Sequence, residues 1–434
     1  MPEQNPILIH GDGSTARVTA LALRAALGDK DIPISVPAPP SRADDKAKNN
    51  DWGSVLALSA AAKTMLEVLG VWARLDQPTA PVCDMAVYGD AAALGHNIGL
   101  DFNPIETAEH SKTDAKSDIH VLAHIVSRTA LDRAIKSAFD DGVATAGLDV
   151  RNSPLVGFDK TDGRASCADG TDFKAALLID CARATADKRA APPWRKTSAA
   201  QCLTHDYDAA ALVCALACDQ PHGGQAVQIF LPAGPLALLP LPDPKKRALI
   251  WSLPQARATA LAEINDDIFA YELTKATQGH VGGLTLDGPR ALQKLSLALA
   301  ENYVDGRLCL LGEAAHIIHP LAGQGFNLAL RDAAQLADIL FEAHSLGLAF
   351  DGPHVLADYQ ALRRADGGAM AATTHLLAEI FSGPQSRFTA PLARLGLALT
   401  GRLARSNRGM ATRFRATANG GVVALPRLMR GRSF

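Results

Sequence analysis

Residues 307–340 read RLCLLGEAAHIIHPLAGQGFNLALRDAAQLADIL, and three structural elements follow one another in this stretch without a break. The short apolar run 308–311 is typical of a buried parallel strand, and Gly312 then allows a sharp turn. Between this turn and the next helix, small residues and glycines expose main-chain amides that can approach a flat ligand closely. Apolar residues then recur at helical spacing, namely Leu328, Leu330, Ala334, Leu336, Ala337 and Leu340. The pattern predicts a strand, a turn and a helix whose positive amino terminus faces a bound ligand.

The same stretch resembles the signature of flavin-dependent aromatic hydroxylases, and specifically of the ubiquinone-biosynthesis hydroxylases, in which it reads close to GDAAHxxHPLAGQGxNLGxRD. The resemblance implies that the chain binds FAD through this loop, including Gly312, and that Glu313 stands where the family's Asp binds the ribityl chain. It also implies that the following residues lie along the isoalloxazine ring: Pro320, Ala322, Gly323, Gln324, Gly325, Phe326 and Asn327. A helix amino terminus beside the ring would stabilise the negative charge of the reduced flavin. The alternative is an ordinary turn between strand and helix with glycine capping.

The similarity to these hydroxylases covers most of residues 5–345. Residues 205–254 resemble the middle sheet of the family, and the phrases PHGG and GPLALLPL within them point to the quinone branch. Residues 58–75, LSAAAKTMLEVLGVWARL, resemble a family helix that ends in LGVW. Their spacing predicts an amphipathic helix with Gly70 near its end. The apolar positions are Leu58, Ala61, Met65, Leu66, Leu69 and Trp72.

The amino-terminal segment, residues 6–27, contains a dinucleotide-binding pattern. An apolar run is followed by Gly11, Gly13 and Ala16 in a GxGxxA spacing, and then by apolar residues at helical spacing. In this pattern the first glycine makes the turn, the second lets a pyrophosphate approach, and the third small residue allows close packing of helix on strand. His10 and Asp12 are unusual neighbours for a pyrophosphate, since a carboxylate repels it. The segment is expected to bind the FAD diphosphate.

The chain departs from the family on the adenosine side of the expected cofactor site. The segment DIPISVPAPP has no carboxylate after Asp31, so the acidic residue that binds the ribose is missing. Ser54 aligns with a family Arg, and the third flavin motif, ADG in the family, is replaced by residues that include Ala182 and Arg183. Glu313 in place of Asp adds one methylene to the predicted ribityl ligand. Each lost hydrogen bond to a charged group costs about 1.5 to 3 kcal/mol, so these changes weaken the predicted FAD site.

Two hypotheses fit this combination of an intact loop and eroded motifs. In the first, the chain is a divergent hydroxylase that holds FAD mostly through residues 320–327, which we call the ring-side loop. In the second, it is a relative that has lost the cofactor, or binds it weakly, and acts as a binding or scaffold subunit. The first is favoured, because the one segment whose obvious use is to cradle a flavin is nearly complete.

The carboxyl-terminal region differs in charge from the rest of the chain. The net charge of the whole chain is -2, yet residues 380–434 contain ten Arg and no acidic residue. Leucines and arginines alternate there at helical steps, as in Leu392, Arg394, Leu395, Leu399, Arg402, Leu403 and Arg405. Such a helix either lies on an anionic membrane surface or packs as a hairpin on the acidic body or on a partner protein of quinone biosynthesis. Nucleic acid is not an expected partner, since no binding motif accompanies the charge.

Composition narrows the class of protein further. At 434 residues and 48% hydrophobic content, the chain can bury a large core. It has no apolar run of about 18 residues and no secretory signal, so we expect a cytoplasmic protein, peripheral on the inner membrane face if the Arg-rich region binds lipid. Its seven cysteines form no CxxC pair, which favours buried thiols over disulfides or zinc. His316 and His319 are spaced like metal ligands but fit the flavin loop better, and no metal is expected.

The fold class predicted from these features is α/β, with a Rossmann-like FAD-binding domain interleaved with a mostly antiparallel substrate-binding sheet, plus a helical carboxyl-terminal extension. Polar or proline-rich linkers are expected at residues 37–51, 106–117 and 184–197. The predicted pieces are 1–80, 119–190 and 290–345 for the FAD-binding domain, 81–118 and 191–289 for the substrate domain, and 346–434 for the Arg-rich extension.

The activity implied by the resemblance is FAD-dependent hydroxylation of the aromatic ring of a polyprenyl phenol or quinol in ubiquinone biosynthesis. In such an oxidoreductase, NAD(P)H or another electron donor reduces the flavin, and oxygen then supplies the hydroxyl group. The protein must provide a pocket that excludes water and an apolar path for the substrate. The segment FLPAGPLALLPLP, residues 230–242, has suitable side chains for that path. No residue in the sequence stands out as a catalytic base.

Overall fold

The computed structural model describes residues 5–28, 32–37, 54–89, 100–101, 121–145, 148–184, 191–196, 202–319, 323–382 and 425–434. The described strands are β1 (Ile7–His10), β2 (Ile34–Pro37), β3 (Val55–Ser59), β4 (Ala80–Val82), β5 (Asp84–Gly89), β6 (Leu100–Asp101), β7 (Ala123–Ser127), β8 (Leu148–Arg151), β9 (Leu155–Phe158), β10 (Arg164–Cys167), β11 (Asp172–Lys174), β12 (Leu177–Asp180), β13 (Cys202–Cys218), β14 (Gln225–Leu231), β15 (Gly234–Pro240), β16 (Lys246–Pro254), β17 (Leu284–Leu286), β18 (Ala291–Ala300), β19 (Val304–Asp305), β20 (Leu308–Leu310) and β21 (His316–Ile317). The described helices are α1 (Ser14–Leu27), α2 (Ala60–Val68), α3 (Arg128–Ala144), α4 (Pro193–Lys196), α5 (Gln255–Glu263), α6 (Asp266–Thr277), α7 (Gln324–Ser345) and α8 (Pro353–Ser382).

The first sheet has six strands in the order β19-β20-β12-β1-β2-β8. Five of them run parallel, and β19 adds an antiparallel edge. β1 and β12 are almost entirely buried and apolar, as expected for parallel strands that are covered on both faces. Helices α1, α3 and α7 contribute to the same core, in which Leu23, Leu131 and Leu336 are fully buried. The Rossmann-like part of the predicted fold is therefore confirmed.

The second sheet has nine strands and is mostly antiparallel, as predicted. Its longest strand, β13, pairs with β16 on one side and with β18 on the other. The ladder with β18 is interrupted between Asp206 and Ala210, where Asp208 has a φ of 47°. Helices α5 and α6 cover one face, because Trp251 of β16 and Phe269 of α6 are buried in the same cluster.

Two three-stranded sheets, β11-β10-β9 and β3-β7-β4, complete the described strands. The prediction of a single helix over residues 58–75 is wrong at both ends. Leu58 belongs to β3 and α2 begins at Ala60, and α2 ends at Val68, so that Trp72 lies in a separate 3-10 turn. The Ser59 hydroxyl accepts a hydrogen bond from the main-chain N of Ala62, which caps α2 where the strand ends. Gly70, with a φ of 69°, lies just past the end of α2 as expected.

Most of the predicted linkers lie outside the described residues, but part of segment 184–197 is described and differs from the prediction. It contains α4, and the Trp194 side chain of that helix is only 2% exposed. This end of the segment is therefore part of the core. The prolines and charges around Trp194 gave it the composition of a linker.

The described part of the carboxyl-terminal region consists of α8 and residues 425–434. Leu428 and Met429, in a short 3-10 helix, are buried against α2 and α7. The predicted Arg-rich helix of residues 392–405 lies outside the described residues. None of the described helices combines the length and the apolar character that crossing a membrane requires. All seven cysteines are free thiols, and five of them are buried.

Candidate active site

The carboxyl ends of β1, β12 and β20 meet at one edge of the six-stranded sheet. His10 pairs in register with Asp180, and Asp180 with Leu310. The loops that follow these strands contain residues 11–13, 181–184 and 312–315, and we call the space they border the strand-end crevice. Ligands of open parallel sheets bind at this edge, outside the carboxyl ends of the strands. The candidate site is therefore built from these loops.

The loop after β1 has the geometry that the GxGxxA pattern requires. Gly11 has a φ of 141°, and a Cβ added there would lie 3.3 Å from both the Ala16 Cβ and the main-chain N of Ala182. Helix α1 therefore packs closely on the strand, and only small residues fit at this point. Gly13 precedes α1, and no atom lies within 4 Å of the position that its Cβ would take. The open side of Gly13 leaves room for a ligand at the amino terminus of α1.

The loop after β20 brings a carboxylate to the strand-end crevice. Gly312 has a φ of 62°, and a Cβ there would come within 2.8 Å of the Thr15 Cγ2, so a glycine is needed where the chain turns past α1. Glu313 follows in a short 3-10 turn, with 45% of its side chain exposed. The Arg183 Nη1 lies 3.3 Å from both carboxylate oxygens of Glu313. The predicted ribityl ligand thus has a cationic neighbour from the loop after β12.

The amino terminus of α7 is anchored to strand β3. The helix follows Gly323, which has a φ of 61° and makes no side-chain cap. The Asn327 Nδ2 donates to the Ala57 carbonyl at 2.8 Å, and its Oδ1 accepts from the Ser59 N at 3.0 Å. Asn327 is 1% exposed, so it fixes the helix in place. Gly325, in contrast, has no atom within 4 Å of its Cβ position and leaves open space beside the first turn.

The other residues predicted to lie along the flavin ring have different surroundings. Phe326 is partly buried and packs against the core of the six-stranded sheet. Gln324 is the first residue of α7. Pro320 and Ala322 lie outside the described residues. Gly325 therefore has free space next to it, while Phe326 packs against the core and Asn327 bonds to β3.

A buried network of charged side chains lies beneath the loop after β20. Asp332 accepts hydrogen bonds from the Gly312 N at 3.0 Å and from the His316 Nε2 and the Arg363 Nε at 2.6 Å each. Burial alone would raise the pKa of Asp332, but His316 and Arg363 outweigh it and lower the pKa to about 2. Arg331 and Asp332, which end the signature, therefore belong to the network that holds the loop after β20 in position. The network consists of His316, Arg331, Asp332, Arg363 and Asp366, each at most 5% exposed.

A second buried carboxylate, Asp180, organises the loop after β12. The Asp180 Oδ1 is 3.0 Å from the His10 Nδ1, and its Oδ2 accepts from the Trp194 Nε1 at 2.9 Å and the Arg195 Nε at 2.6 Å. Burial alone would raise the pKa of Asp180, but the hydrogen bond with His10 and the charge of Arg195 hold it well below its usual range. His10, an unexpected residue beside a pyrophosphate, is thus the partner of a carboxylate 170 positions away.

A polar cluster that sequence reasoning missed lies directly before the ring-side loop. His319 is 3% exposed, and its ring centroid is 5.1 Å from that of Tyr207, with the rings nearly perpendicular. The Tyr207 Oη is 3.0 Å from the His375 Nδ1. The His205 Nε2 is 3.7 Å from the Glu379 Oε1. The single local sign of this cluster is the spacing of His375 and Glu379, which places both on one face of α8.

The cluster can hold and pass a proton. Burial, with a smaller contribution from His375, lowers the pKa of His319 to about 4, so this imidazole is neutral at pH 7. Burial also raises the pKa of Tyr207 to about 12, so its hydroxyl stays protonated. The side chains lead from buried His319 to His205 and Glu379, which are 45% and 40% exposed. Ligand atoms of His205, His375 and Glu379 lie within 4.8 Å of one another, so these side chains could also hold a metal ion.

Apolar side chains surround the inner end of this cluster. Tyr207 packs beside Leu297, Ile318 and Leu328, which are at most 8% exposed. The segment 230–242, expected to line the substrate path, is arranged differently. Leu236 and Leu238 are fully buried against α5 and α6. That face of the segment is therefore filled by the protein's own helices.

Comparison with known proteins places these features in one family. A profile described as an FAD binding domain matches residues 193–373. The chain is 31% identical over 382 residues to the ubiquinone hydroxylase UbiL of Rhodospirillum rubrum. This match covers 87% of this chain and 83% of that relative. It is 30% identical over 348 residues to the 3-demethoxyubiquinol 3-hydroxylase of Escherichia coli, with 79% and 82% coverage.

Solved structures show the same fold. The p-nitrophenol 4-monooxygenase PnpA from Pseudomonas putida matches with a TM-score of 0.66 at 16% identity, over 98% of this chain and all of that one. The probable FAD-dependent monooxygenase PqsL from Pseudomonas aeruginosa matches with a TM-score of 0.64 at 19% identity, over 89% of this chain and 99% of that one. Together with the extent of similarity to the two relatives, these findings establish that the chain belongs to the ubiquinone-biosynthesis family of FAD-dependent hydroxylases.

Proposed function

We propose that this protein is an FAD-dependent monooxygenase that hydroxylates the aromatic ring of a polyprenyl phenol or quinol on the route to ubiquinone. The relatives named as ubiquinone hydroxylases support the reaction and the class of substrate. The observation that carries the proposal is open space beside two glycines at helix starts: Gly13, at the strand-end crevice before α1, and Gly325, in the first turn of α7.

The residues around the crevice fit FAD. Gly13 at the start of α1 leaves room for a diphosphate, and Gly325 at the start of α7 leaves room for a ring. Glu313 offers a carboxylate that can accept hydrogen bonds from ribityl hydroxyl groups. Asn327 anchors the start of α7 to β3, and the buried network around Asp332 holds the loop after β20 in position. A Cβ at Gly13 or Gly325 would occupy this space.

FAD supplies the reduction of oxygen and the delivery of one oxygen atom to the substrate ring. The protein contributes the partial positive charge of the α7 amino terminus beside the ring. Buried Ile318 and Leu328 exclude water from the approach to the ring-side loop. A phenol reacts more readily when its hydroxyl proton is withdrawn. The Tyr207 hydroxyl could accept such a proton while it gives its own to the His375 Nδ1, with which it is hydrogen-bonded.

Further features of the proposed function rest on the resemblance. The polyprenyl chain of the substrate would suit an enzyme that works at an anionic membrane surface, and the ten arginines of residues 380–434 could provide that contact or a contact with a partner protein. The reductant would be NAD(P)H or another electron donor. The location would be cytoplasmic, on the inner membrane face. The division into FAD-binding, substrate and extension domains given above belongs to the same proposal.

The test compares two glycines in helices. Gly325 and Gly368 both lack atoms within 4 Å of the Cβ position, and neither has the positive φ that a side chain would strain. The purified protein should be yellow and release FAD on denaturation. Gly325→Leu should lose bound flavin and hydroxylase activity, while Gly368→Leu, on α8, should keep both.

The alternative of a flavin-free scaffold subunit predicts a different result. In that case the purified protein is colourless and takes up no added FAD, and Gly325→Leu behaves like Gly368→Leu. Restoring ubiquinone synthesis in hydroxylase-deficient mutants, tested one ring position at a time, would identify the carbon that is hydroxylated.

A further inference from the structure

The loop after β12, residues 181–184, crosses the strand-end crevice at the place where the chain departs most from its family. Its Ala182 N lies 3.3 Å from the position of a Cβ on Gly11, so the loop touches the diphosphate turn. Its Ala184 N donates to the Glu313 carbonyl at 2.8 Å, so the loop also touches the ribityl turn. The main chain of Arg183, in the middle of this loop, therefore lies between the two turns.

The loop is held rigidly by buried groups. The Ala182 N donates to the Asp180 Oδ1 at 3.1 Å. The Arg195 Nη2 donates to the Ala182 carbonyl at 2.5 Å, and the Arg195 Nη1 to the Arg183 carbonyl at 3.4 Å. The Arg195 side chain is 11% exposed, and its Nε binds the fully buried Asp180. Because its charge is matched by that carboxylate, Arg195 fixes the main chain of the loop and is not the cation that a ligand would meet.

The Arg183 side chain has a different environment. It is 58% exposed and reaches Glu313, on the loop that follows β20. One nitrogen, Nη1, contacts Glu313 at 3.3 Å, which is long for a charge-assisted hydrogen bond. A guanidinium has five N–H donors in a planar fork that matches phosphate oxygens. Arg183 therefore retains donors for an anion while it stays beside the carboxylate.

The crevice needs such a cation. The Ser14 hydroxyl, in the first turn of α1, donates to the Asp132 carboxylate. Asp132 and Glu313 both place negative charge near the expected diphosphate, and Arg128 lies 3.7 Å from the first of them. Arg128 and the positive amino terminus of α1 offset part of this negative charge, and a further cation beside Glu313 would favour a bound diphosphate. Arg183 lies between the two turns and can supply that charge.

We propose that Arg183 binds the diphosphate of FAD, and that this guanidinium replaces contacts made in the family by residues that this chain lacks. The inference rests on the proposed function, because it requires a flavin at the strand-end crevice. It gives a function, binding of the diphosphate, to the replacement of the family's ADG motif by residues that include Arg183. It also explains how the chain can keep FAD with an eroded adenosine side.

The test measures the affinity of the flavin-free full chain for FAD and for riboflavin, which lacks phosphate, by quenching of flavin fluorescence. Arg183→Gln should weaken FAD binding between about 10-fold and about 150-fold, the range for a charged hydrogen bond, and leave riboflavin binding unchanged. Arg183→Lys should recover part of the loss, because it keeps the charge but not the fork. The matched control is Arg164→Gln. Arg164 is 64% exposed, pairs with Asp162 and lies on β10, which belongs to a different sheet from β12.

Several results would overturn the inference. If Arg183→Gln lowers the affinities for FAD and riboflavin equally, Arg183 acts on the ring side or on the fold. If it lowers neither, or no more than Arg164→Gln does, Arg183 serves only as the partner of Glu313. If the unaltered chain binds neither flavin, the proposed function itself fails. The riboflavin measurement separates this last case from a failure of the Arg183 assignment alone.

Discussion

Replacing Asp332 by Ala should both destabilise the protein and loosen its grip on flavin. The Asp332 carboxylate is fully buried and accepts hydrogen bonds from Gly312, His316 and Arg363. Its removal leaves the Arg363 guanidinium, 2% exposed, with Asp366 as its remaining acidic partner in this network. Removing one partner of a buried ion pair costs about 3–5 kcal/mol, a large part of the roughly 5–15 kcal/mol of a typical domain.

The lowered pKa of Asp332 also makes this contribution depend on pH. A folded-state pKa of about 2 lies below the unfolded value of about 3.9, so the ionised carboxylate stabilises the fold above pH 4. This contribution, about 2–3 kcal/mol, is lost as the pH falls from about 4 to 2. The difference in unfolding free energy between the unaltered protein and Asp332→Ala should therefore be largest near pH 7 and should shrink below pH 4.

Urea unfolding followed by tryptophan fluorescence measures the free energy, and the flavin content of the purified protein reports on the loop. Asp351→Ala is the control, because Asp351 and its partner Arg307 are 26% and 25% exposed and such a pair contributes about 1 kcal/mol or less. The reasoning is refuted if Asp332→Ala loses no more stability than Asp351→Ala. It also fails for the loop if Asp332→Ala is destabilised but retains flavin as tightly as the control.

Three further predictions concern other parts of the protein. Tyr207→Phe should lower kcat for hydroxylation about 10²- to 10⁴-fold while flavin stays bound. Tyr271→Phe, at a residue that is 67% exposed, should leave kcat unchanged. Equal kcat values for the two variants would refute the proton path through Tyr207. The pKa of Asp180 is held below its usual range, so Asp180→Asn should lower stability at pH 7, and this loss should decline below about pH 4. Thermal unfolding measures the loss, and a loss that stays constant from pH 7 to below pH 4 would contradict the prediction. Vesicle sedimentation should show weaker binding to anionic lipid, without loss of stability, when Gln replaces Arg394, Arg402 and Arg405; salt-insensitive, unchanged binding would exclude the membrane role.

Much of the fold could be predicted because its patterns are local. The apolar spacing of residues 328–340 identified α7, and all six of the apolar positions that it selected are buried. Gly312 was readable as a turn because β20 reaches it directly and its positive φ excludes a side chain. The one helix drawn too long, over 58–75, failed because Leu58 fits the apolar stripe of a helix and the edge of β3 equally well.

The polar chemistry of the site was harder to read, because its partners are far apart in sequence. Asp180 meets His10 across 170 positions, and Tyr207 meets His375 across 168. No periodic pattern reports such contacts, since they depend on how the two sheets and α8 come together. Arg195 was missed for a second reason, because its segment has the composition of a linker. Asn327 was predicted to lie along the flavin ring from its place in the local signature. Its side chain is hydrogen-bonded to Ser59 at the end of β3, and the local sequence does not indicate where β3 lies.

The last residues of the chain pack on the helices α2 and α7. α8 ends at Ser382, and the chain is described again from residue 425, where Leu428 is inserted against α2 and α7. Phe434 then packs on Phe341 of α7, with ring centroids 5.0 Å apart. Removal of residues 425–434 would therefore expose apolar surface on α7, the helix that carries Gly325 in its first turn.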